Sequence, residues 1–533
     1  MRLVLFFLVF FFSWSLPAQY EPLARNSMLN GHIQLPFEYW NITRPSLKFH
    51  PAFRPYLSGT FQNATDSAVP FRAYPFRNFF LSKTFNERPE ARNWFNVQLH
   101  PVVELESGID MLDNKLLTSG TGGIHAKLNI NDDFTFAATL VGGNQRYPFF
   151  LDTAVSAQSV IPEFGQAYKG SGPGYHFFDY QGYVSYSPRQ SKVFNFQLGR
   201  DKHFIGNGYR SVLLSDFGPA YPYFRINTNI WRLQYSVWYT MMYDISSAAG
   251  SQRHFRHKYG TFHYLSWNIT RRFNVGLFEN IVWRGTDTNQ VRNFEVNYLN
   301  PVIFFRPVEY SVGSPDNSFI GLNMSGIIGR SLRLYGQLGL DEFFLKELRA
   351  RRGWWANKQA WQLGLRHINA FAVKGLSLLA EYNQVRPFTY SHGLPDQNYG
   401  HYAWPLAHPL GANFRELVFS ASLRKDRWEL MAHCTQVSMG RDSADGSTNV
   451  GQNIFLSYTT RRGEYGHRTG QGLATSILQS HLRLTYFVLP ALNLRMELGY
   501  IQRSEEVRDI YVLQNPYVYV AIKSGFWNQY RDF

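Results

Sequence analysis

The feature that most constrains this chain is a two-residue period whose second face carries charge. Leu482, Leu484, Tyr486 and Val488 alternate with His481, Arg483 and Thr485, and Leu492, Leu494, Met496 and Leu498 with Asn493, Arg495 and Glu497. Ile124, Ala126, Leu128 and Ile130 oppose His125, Lys127 and Asn129; Leu332, Leu334 and Leu338 oppose Arg333, Tyr335 and Gln337. Successive side chains of a strand point to opposite faces, so each segment presents one apolar and one polar or charged face. In a dry core the charged face would be costly. Lipid on one side and a wet or polar-packed lumen on the other removes the conflict, and closing the sheet leaves no unpaired edge.

The alternation begins near residue 93, with Phe95, Val97 and Leu99 against Asn96, Gln98 and His100, and recurs to the end. The segments add up to about 16 to 18 strands. The fold expected is therefore all-β: a transmembrane antiparallel β-barrel over 93–533, with long loops partly plugging its lumen. Aromatic residues make up 17% of the chain, including 33 Tyr and 45 Phe, as girdles at two membrane interfaces require. A single cysteine, Cys434, rules out an internal disulfide framework.

The N-terminus reads as an export signal. Arg2 precedes an uninterrupted apolar run over 3–12, and residues 13–18 resemble a cleavage region. Ten apolar residues are too few to span a bilayer as a helix. Residues 1–18 are expected to be a cleaved signal peptide, sending the chain to the outer membrane. Residues 19–92 are rich in Pro, Arg, Asn and aromatics without a sustained period, which predicts an irregular periplasmic or plug segment and argues against an independent helical domain. The formal net charge of +15 points to anionic lipid headgroups or acidic surface polysaccharide rather than nucleic acid in an exported chain.

Two loops concentrate candidate functional side chains. The strand Phe194–Phe196–Leu198 runs into Arg200, Asp201, Lys202 and His203, then a Gly206-Asn207-Gly208 turn to Tyr209 and Arg210. Paired charge plugging the lumen is one reading. The other is a polar patch for sugar hydroxyls and carboxylates, with Arg as bidentate donor and aromatic rings as stacking faces. The second loop carries Arg386, Tyr390, His392, His401 and His408. The histidine spacings fit no zinc pattern, no metal or other cofactor is expected, and Ser391-His392 lacks the elbow that would organise a nucleophile. Candidate glycan- or partner-binding residues are Arg200, Lys202, His203, Tyr209, Arg210, Arg386, Tyr390 and His392. The segment 341–352 could form a short helix with Phe344, Leu345 and Leu348 on one side, expected to pack on its own loop. Phe533, read as closing the last strand, is the candidate membrane-assembly signal.

Gly199-Arg200-Asp201-Lys202-His203-Phe204-Ile205-Gly206-Asn207-Gly208-Tyr209-Arg210-Ser211, the Gly353-Trp354-Trp355 segment, and the stretch from Val385 to Phe414 resemble the RemB-like gliding-motility proteins of Bacteroidota, themselves similar to Wzi-like capsule-assembly barrels. The Wzi resemblance implies an 18-stranded barrel with lumen-plugging loops and a lectin-like grip on polysaccharide. The RemB resemblance implies motility or secretion machinery as partners. It supplies no catalytic residues. A non-enzymatic scaffold engaging surface polysaccharide or the gliding apparatus is the expected function; a passive porin and an outer-membrane hydrolase are the alternatives. A 22-stranded transporter with its plug domain would need a longer chain.

Overall fold

The structure, a computed structural model, describes residues 24–57, 81–85, 95–131, 133–169, 172–188, 193–245, 255–285, 295–303, 316–443 and 448–533. The expected signal peptide lies outside the described residues. The wall is a closed antiparallel barrel of 18 strands. In chain order these are β1 (Phe95–Asp110), β2 (Lys115–Ile130), β3 (Phe134–Gln145), β4 (Tyr175–Tyr186), β5 (Phe194–Asp201), β6 (Tyr221–Ile230), β7 (Leu233–Asp244), β8 (Arg256–Asn268) and β9 (Phe273–Arg284). There follow β10 (Asn317–Ile328), β11 (Leu332–Leu340), β12 (Gln359–Ile368), β13 (Leu376–Val385), β14 (Phe414–Lys425), β15 (Trp428–Arg441), β16 (Leu473–Leu489), β17 (Leu494–Val507) and β18 (Tyr511–Lys523). Closure comes from β18 on β1, with Tyr517 opposite Asp110 and Lys523 opposite Glu104.

The alternation sorts side chains as the sequence predicts. Leu198, Leu363 and Leu482 are more than half exposed on the outer face, while Gln197, Arg225 and Arg333 are buried inside. A Lys or Arg turned outward at mid-bilayer would cost about 2–4 kcal/mol, which fixes the register of each strand. Turns between even- and odd-numbered strands are short, as at 231–232 and 426–427, and those at the opposite end are mostly long, as at 146–174, 341–358, 386–413 and 442–472. Short turns mark the periplasmic end of such a barrel and long loops its outer end.

The lumen is filled. The helix α1 (Gly31–Thr43), capped by the Asn30 side chain accepting from His32 N, lies inside the wall near the short-turn end. Its Glu38 pairs with Arg333 of β11 and, at 3.4 Å, with Arg54. Among the described residues of 19–92 this helix forms where the sequence shows no sustained period. Polar Gln34, Glu38 and Asn41 are buried along with Phe37, Tyr39 and Ile42, leaving no apolar stripe to recognise. Above it, the β5–β6 connection turns inward. Val212, Leu213 and Leu214 form a dry centre with Trp238, Phe262, Phe278, Phe319, Tyr390 and Phe414.

The outer face departs from lipid-facing chemistry on β7–β9. Phe262 and Phe278 belong to the central core, so their neighbours His263 and Glu279, which face each other across β8 and β9, point outward. Both are buried. The segment 295–303 lies over them as a strap: the Tyr239 hydroxyl donates to Leu299 O (2.8 Å), Tyr235 to Pro301 O (2.6 Å) and Thr261 to Tyr298 O (3.0 Å). The strap's own Val296, Leu299 and Val302 are exposed.

Candidate functional site

The 202–220 connection is built to stay inside the barrel. Gly206 takes φ +150° and its N–H donates to Ala52 O at 2.7 Å. Two residues on, a Cβ at Gly208 would sit 2.0 Å from Glu381 Oε2; only glycine lets the Glu381 carboxylate approach the turn. That carboxylate accepts from Tyr209 N (2.9 Å), Arg210 N (3.0 Å) and the Tyr335 hydroxyl (2.8 Å). Arg210 continues the network, pairing with Glu416 at 3.1 Å and Asp532 at 3.0 Å. Glu416 is also held by His408 at 2.7 Å, and Asp532 by His433 at 2.9 Å and the Tyr209 hydroxyl at 3.1 Å. Burial alone would raise the Asp532 carboxyl, but Arg210, His433 and Tyr209 outweigh it and hold it below the ordinary range.

Most of the remaining residues singled out in the sequence are also committed to internal partners, whereas the buried Lys202 Nζ has no hydrogen-bond partner. Arg200 pairs with Asp179 at 2.7 Å and lies 4.6 Å over the Tyr180 ring. His203 is enclosed, 3.2 Å from the Tyr221 hydroxyl, and burial, reinforced by Arg225, keeps it neutral by pulling its pKa well down. Arg386 donates to Trp354 O at 3.3 Å. Tyr390 donates its hydroxyl to Val212 O at 2.7 Å, and His392 Nδ1 accepts from Leu394 N at 3.2 Å. Lys202, His203, Arg210, Tyr390 and His392 are all buried. Those five are therefore enclosed rather than displayed as a basic surface patch, and Arg210 among them is paired with carboxylates. Ser391 Oγ donates to Phe388 O at 2.6 Å, so Ser391 and His392 do not form a nucleophile–base pair. His401 Nδ1 accepts from Tyr243 N, and His408 belongs to Glu416, so the histidines of this loop do not converge.

Phe533 also departs from its expected place. The last strand ends at Lys523, and the ten residues after it turn back into the lumen. Arg531 pairs with Glu106 at 2.6 Å, the Tyr530 hydroxyl donates to Asp216 at 2.7 Å, and the Phe533 ring packs edge-on against Phe217 (4.8 Å) and Trp404 (5.4 Å). Phe533 therefore closes no strand; it supports the floor of the outer cavity.

That cavity, of about 490 Å³, opens at the long-loop end. Four loops contribute: Gln158 ends the helix α2 (Phe149–Gln158), Phe255 precedes β8, Tyr402 and Trp404 come from 386–413, and Gln452, Asn453 and Phe455 from 442–472. Phe255, Tyr402 and Phe455 are half-buried. No charged side chain is among its described lining residues. Gln158 Oε1 and Trp404 Nε1 are buried without a hydrogen-bond partner, an acceptor and a donor left unmatched at the wall. Aromatic faces beside amides, with no fixed charge, suit a ligand having both C–H faces and hydroxyls. Sequence reasoning missed this site because its residues are scattered over four loops and none is charged.

No protein family and no curated protein sequence matches the chain. Solved structures do. Over 95% of this chain and 100% of the other, the fold is similar to Wzi, an outer-membrane protein involved in group 1 capsule assembly in Escherichia coli and a carbohydrate-binding β-barrel, with a TM-score of 0.59 at 10% identity. OprD of Pseudomonas aeruginosa aligns over 80% of this chain and 94% of its own at a TM-score of 0.43 and 10% identity. OccAB2 of Acinetobacter baumannii aligns over 80% of this chain and 97% of its own at 0.42 and 8%. At these identities the likeness to Wzi is one of fold.

Proposed function

We propose that this protein is an exported outer-membrane scaffold that holds surface polysaccharide in its outer vestibule. The observation that carries the reading is the uncharged, aromatic- and amide-lined cavity at the long-loop end, braced from below by Trp404 and Phe533. A sugar ring stacks on Phe255, Tyr402 or Phe455, and its hydroxyls meet Gln158, Gln452 and Asn453. Acidic groups elsewhere on the same polymer are drawn by the chain's net charge of +15. The Wzi fold, whose E. coli representative binds carbohydrate, supports the same reading. Engagement of the gliding motility apparatus is the variant of it, with the outer loops as the contact. A passive channel is less well supported, because the buried cluster around Leu213 and Trp238 fills the centre of the lumen among the described residues.

The test is binding of purified surface polysaccharide to the detergent-solubilised protein. Truncating an aromatic contact at the centre of an interface costs 1 kcal/mol or more, so Phe255→Ala with Tyr402→Ala should weaken retention by roughly tenfold or more. Unchanged retention in a correctly folded double variant would move the site elsewhere.

A further inference from the structure

The loop between β11 and β12 carries the six-residue helix α3 (Leu345–Ala350), which buries none of its residues. Phe343, Phe344, Leu345 and Leu348 are exposed by 37, 51, 48 and 36%. Leu345 and Leu348 are three apart, and Phe344 and Leu348 four apart, so they share one face. Phe344 meets the edge of Trp354, at 6.1 Å between ring centroids, and the face as a whole stays partly open. Lys346, Arg349 and Arg351 are exposed and form no ion pair among the described residues, while Arg352 is taken by Glu347 at 2.8 Å.

The helix is not a loose end. Gly466 N donates to Arg352 O (2.9 Å), His467 N to Gly353 O (2.9 Å) and Trp355 N to Glu464 O (3.0 Å), stitching the loop to 442–472. Behind it, Lys358 pairs with Glu342 at 3.0 Å. A rigidly held element thus exposes an apolar face with three free cations beside it. It also continues the wall's apolar band, because the flanking strands expose Leu334 and Leu338 on β11 and Leu363 and Leu365 on β12.

We propose that this helix docks onto the membrane surface at the outer end of the barrel, seating Phe344, Leu345 and Leu348 among acyl chains while Lys346, Arg349 and Arg351 engage anionic, phosphate-bearing lipid headgroups. Continuity with the lipid-facing band and charge complementarity both select a lipid surface as the occupant. The role is independent of the vestibule. It fixes the depth and tilt of the barrel, and with them the height at which the vestibule stands above the membrane.

The experiment places a single environment-sensitive fluorophore at Ala350→Cys in a Cys434→Ser background of the full chain. The protein is reconstituted into phosphatidylcholine vesicles with or without 30% phosphatidylglycerol, with brominated lipid as quencher. Each cation near an anionic surface is worth roughly fivefold in partition. The anionic vesicles should therefore quench the label strongly, and 0.5 M salt should reverse much of the gain. Lys346→Glu, Arg349→Glu and Arg351→Glu together should abolish the dependence on phosphatidylglycerol, a change on the order of a hundredfold. Phe344→Ser with Leu348→Ser should remove quenching in both compositions. Heat-modifiable migration confirms that each variant retains its barrel. Quenching that is absent from both vesicle types, or a dependence on phosphatidylglycerol that survives the triple charge reversal, overturns the proposal. So does a label already shielded in detergent, since protein would then cover the face.

Discussion

Removing the Arg210 guanidinium should loosen the lumen without opening the wall. In the native state this buried cation faces two carboxylates, Glu416 at 3.1 Å and Asp532 at 3.0 Å, and donates also to Asp532 O at 2.9 Å. Arg210→Ala leaves both carboxylates in place, Glu416 with His408 and Asn383 and Asp532 with His433 and the Tyr209 hydroxyl. Breaking a buried pair from one side costs about 3–5 kcal/mol, because the uncompensated charge stays buried. At about 1.4 kcal/mol per tenfold, the opened form of the plug should rise by roughly a hundredfold to a few thousandfold. The ladder from β1 to β18 contains none of these contacts, so the barrel should keep its heat-modifiable migration. Hydrogen exchange at 202–220 and 524–533 reports the opening directly, and single-protein conductance across a planar bilayer reports whether the opened lumen passes ions. Arg210→Met combined with Glu416→Gln and Asp532→Asn should recover most of the protection, because it removes the stranded charge rather than exposing it. Protection unchanged in Arg210→Ala would refute the network as the lock. A triple variant no better than the single one would show that packing around Arg210, not charge, is what matters.

Deleting residues 524–533 should leave an inserted, closed barrel, since β18 already ends at Lys523, but it should strip the floor beneath Trp404 and raise conductance; loss of the barrel itself would return Phe533 to an assembly role. Acid should loosen the 386–413 loop through His392, whose pKa burial, aided by Lys358, lowers to about 4. A histidine lowered in the folded state contributes stability that is present above its unfolded value near 6.5 and is lost as pH falls toward 4. Protease nicking of the loop should therefore increase across that window and flatten in His392→Gln, whereas a pH-independent rate in the parent would contradict the assignment.

The wall was legible because each strand meets two solvents, and the chemistry of Leu482 against Arg483 or Phe196 against Gln197 records both. The plug was not, for a matching reason. A helix that buries polar and apolar side chains alike shows no stripe, so α1 reads as composition without period. The Arg200–Arg210 cluster was visible as concentrated charge, yet its partners Glu381, Glu416 and Asp532 lie far along the chain, and without them it could not be told from a surface patch. The vestibule left no mark at all, because four loops each contribute one or a few ordinary side chains. Phe533 misled through its type: a terminal aromatic beyond an alternating strand fits either the end of the wall or a wedge in the lumen, and only the turn after Lys523 decides between them.

The strap over β7–β9 extends the same physics to the outside of the barrel. His263 and Glu279 occupy outward positions where lipid would penalise them, and both are buried instead. The strap's carbonyls accept from Tyr235, Tyr239 and Thr261, and its Val296, Leu299 and Val302 face away. A polar sector of wall is thus converted into an apolar exterior by a second layer of chain. The solvent rule that sets strand register acts on the finished surface rather than on each strand. An outward His or Glu is therefore no evidence against a membrane strand until the chain that covers it has been found.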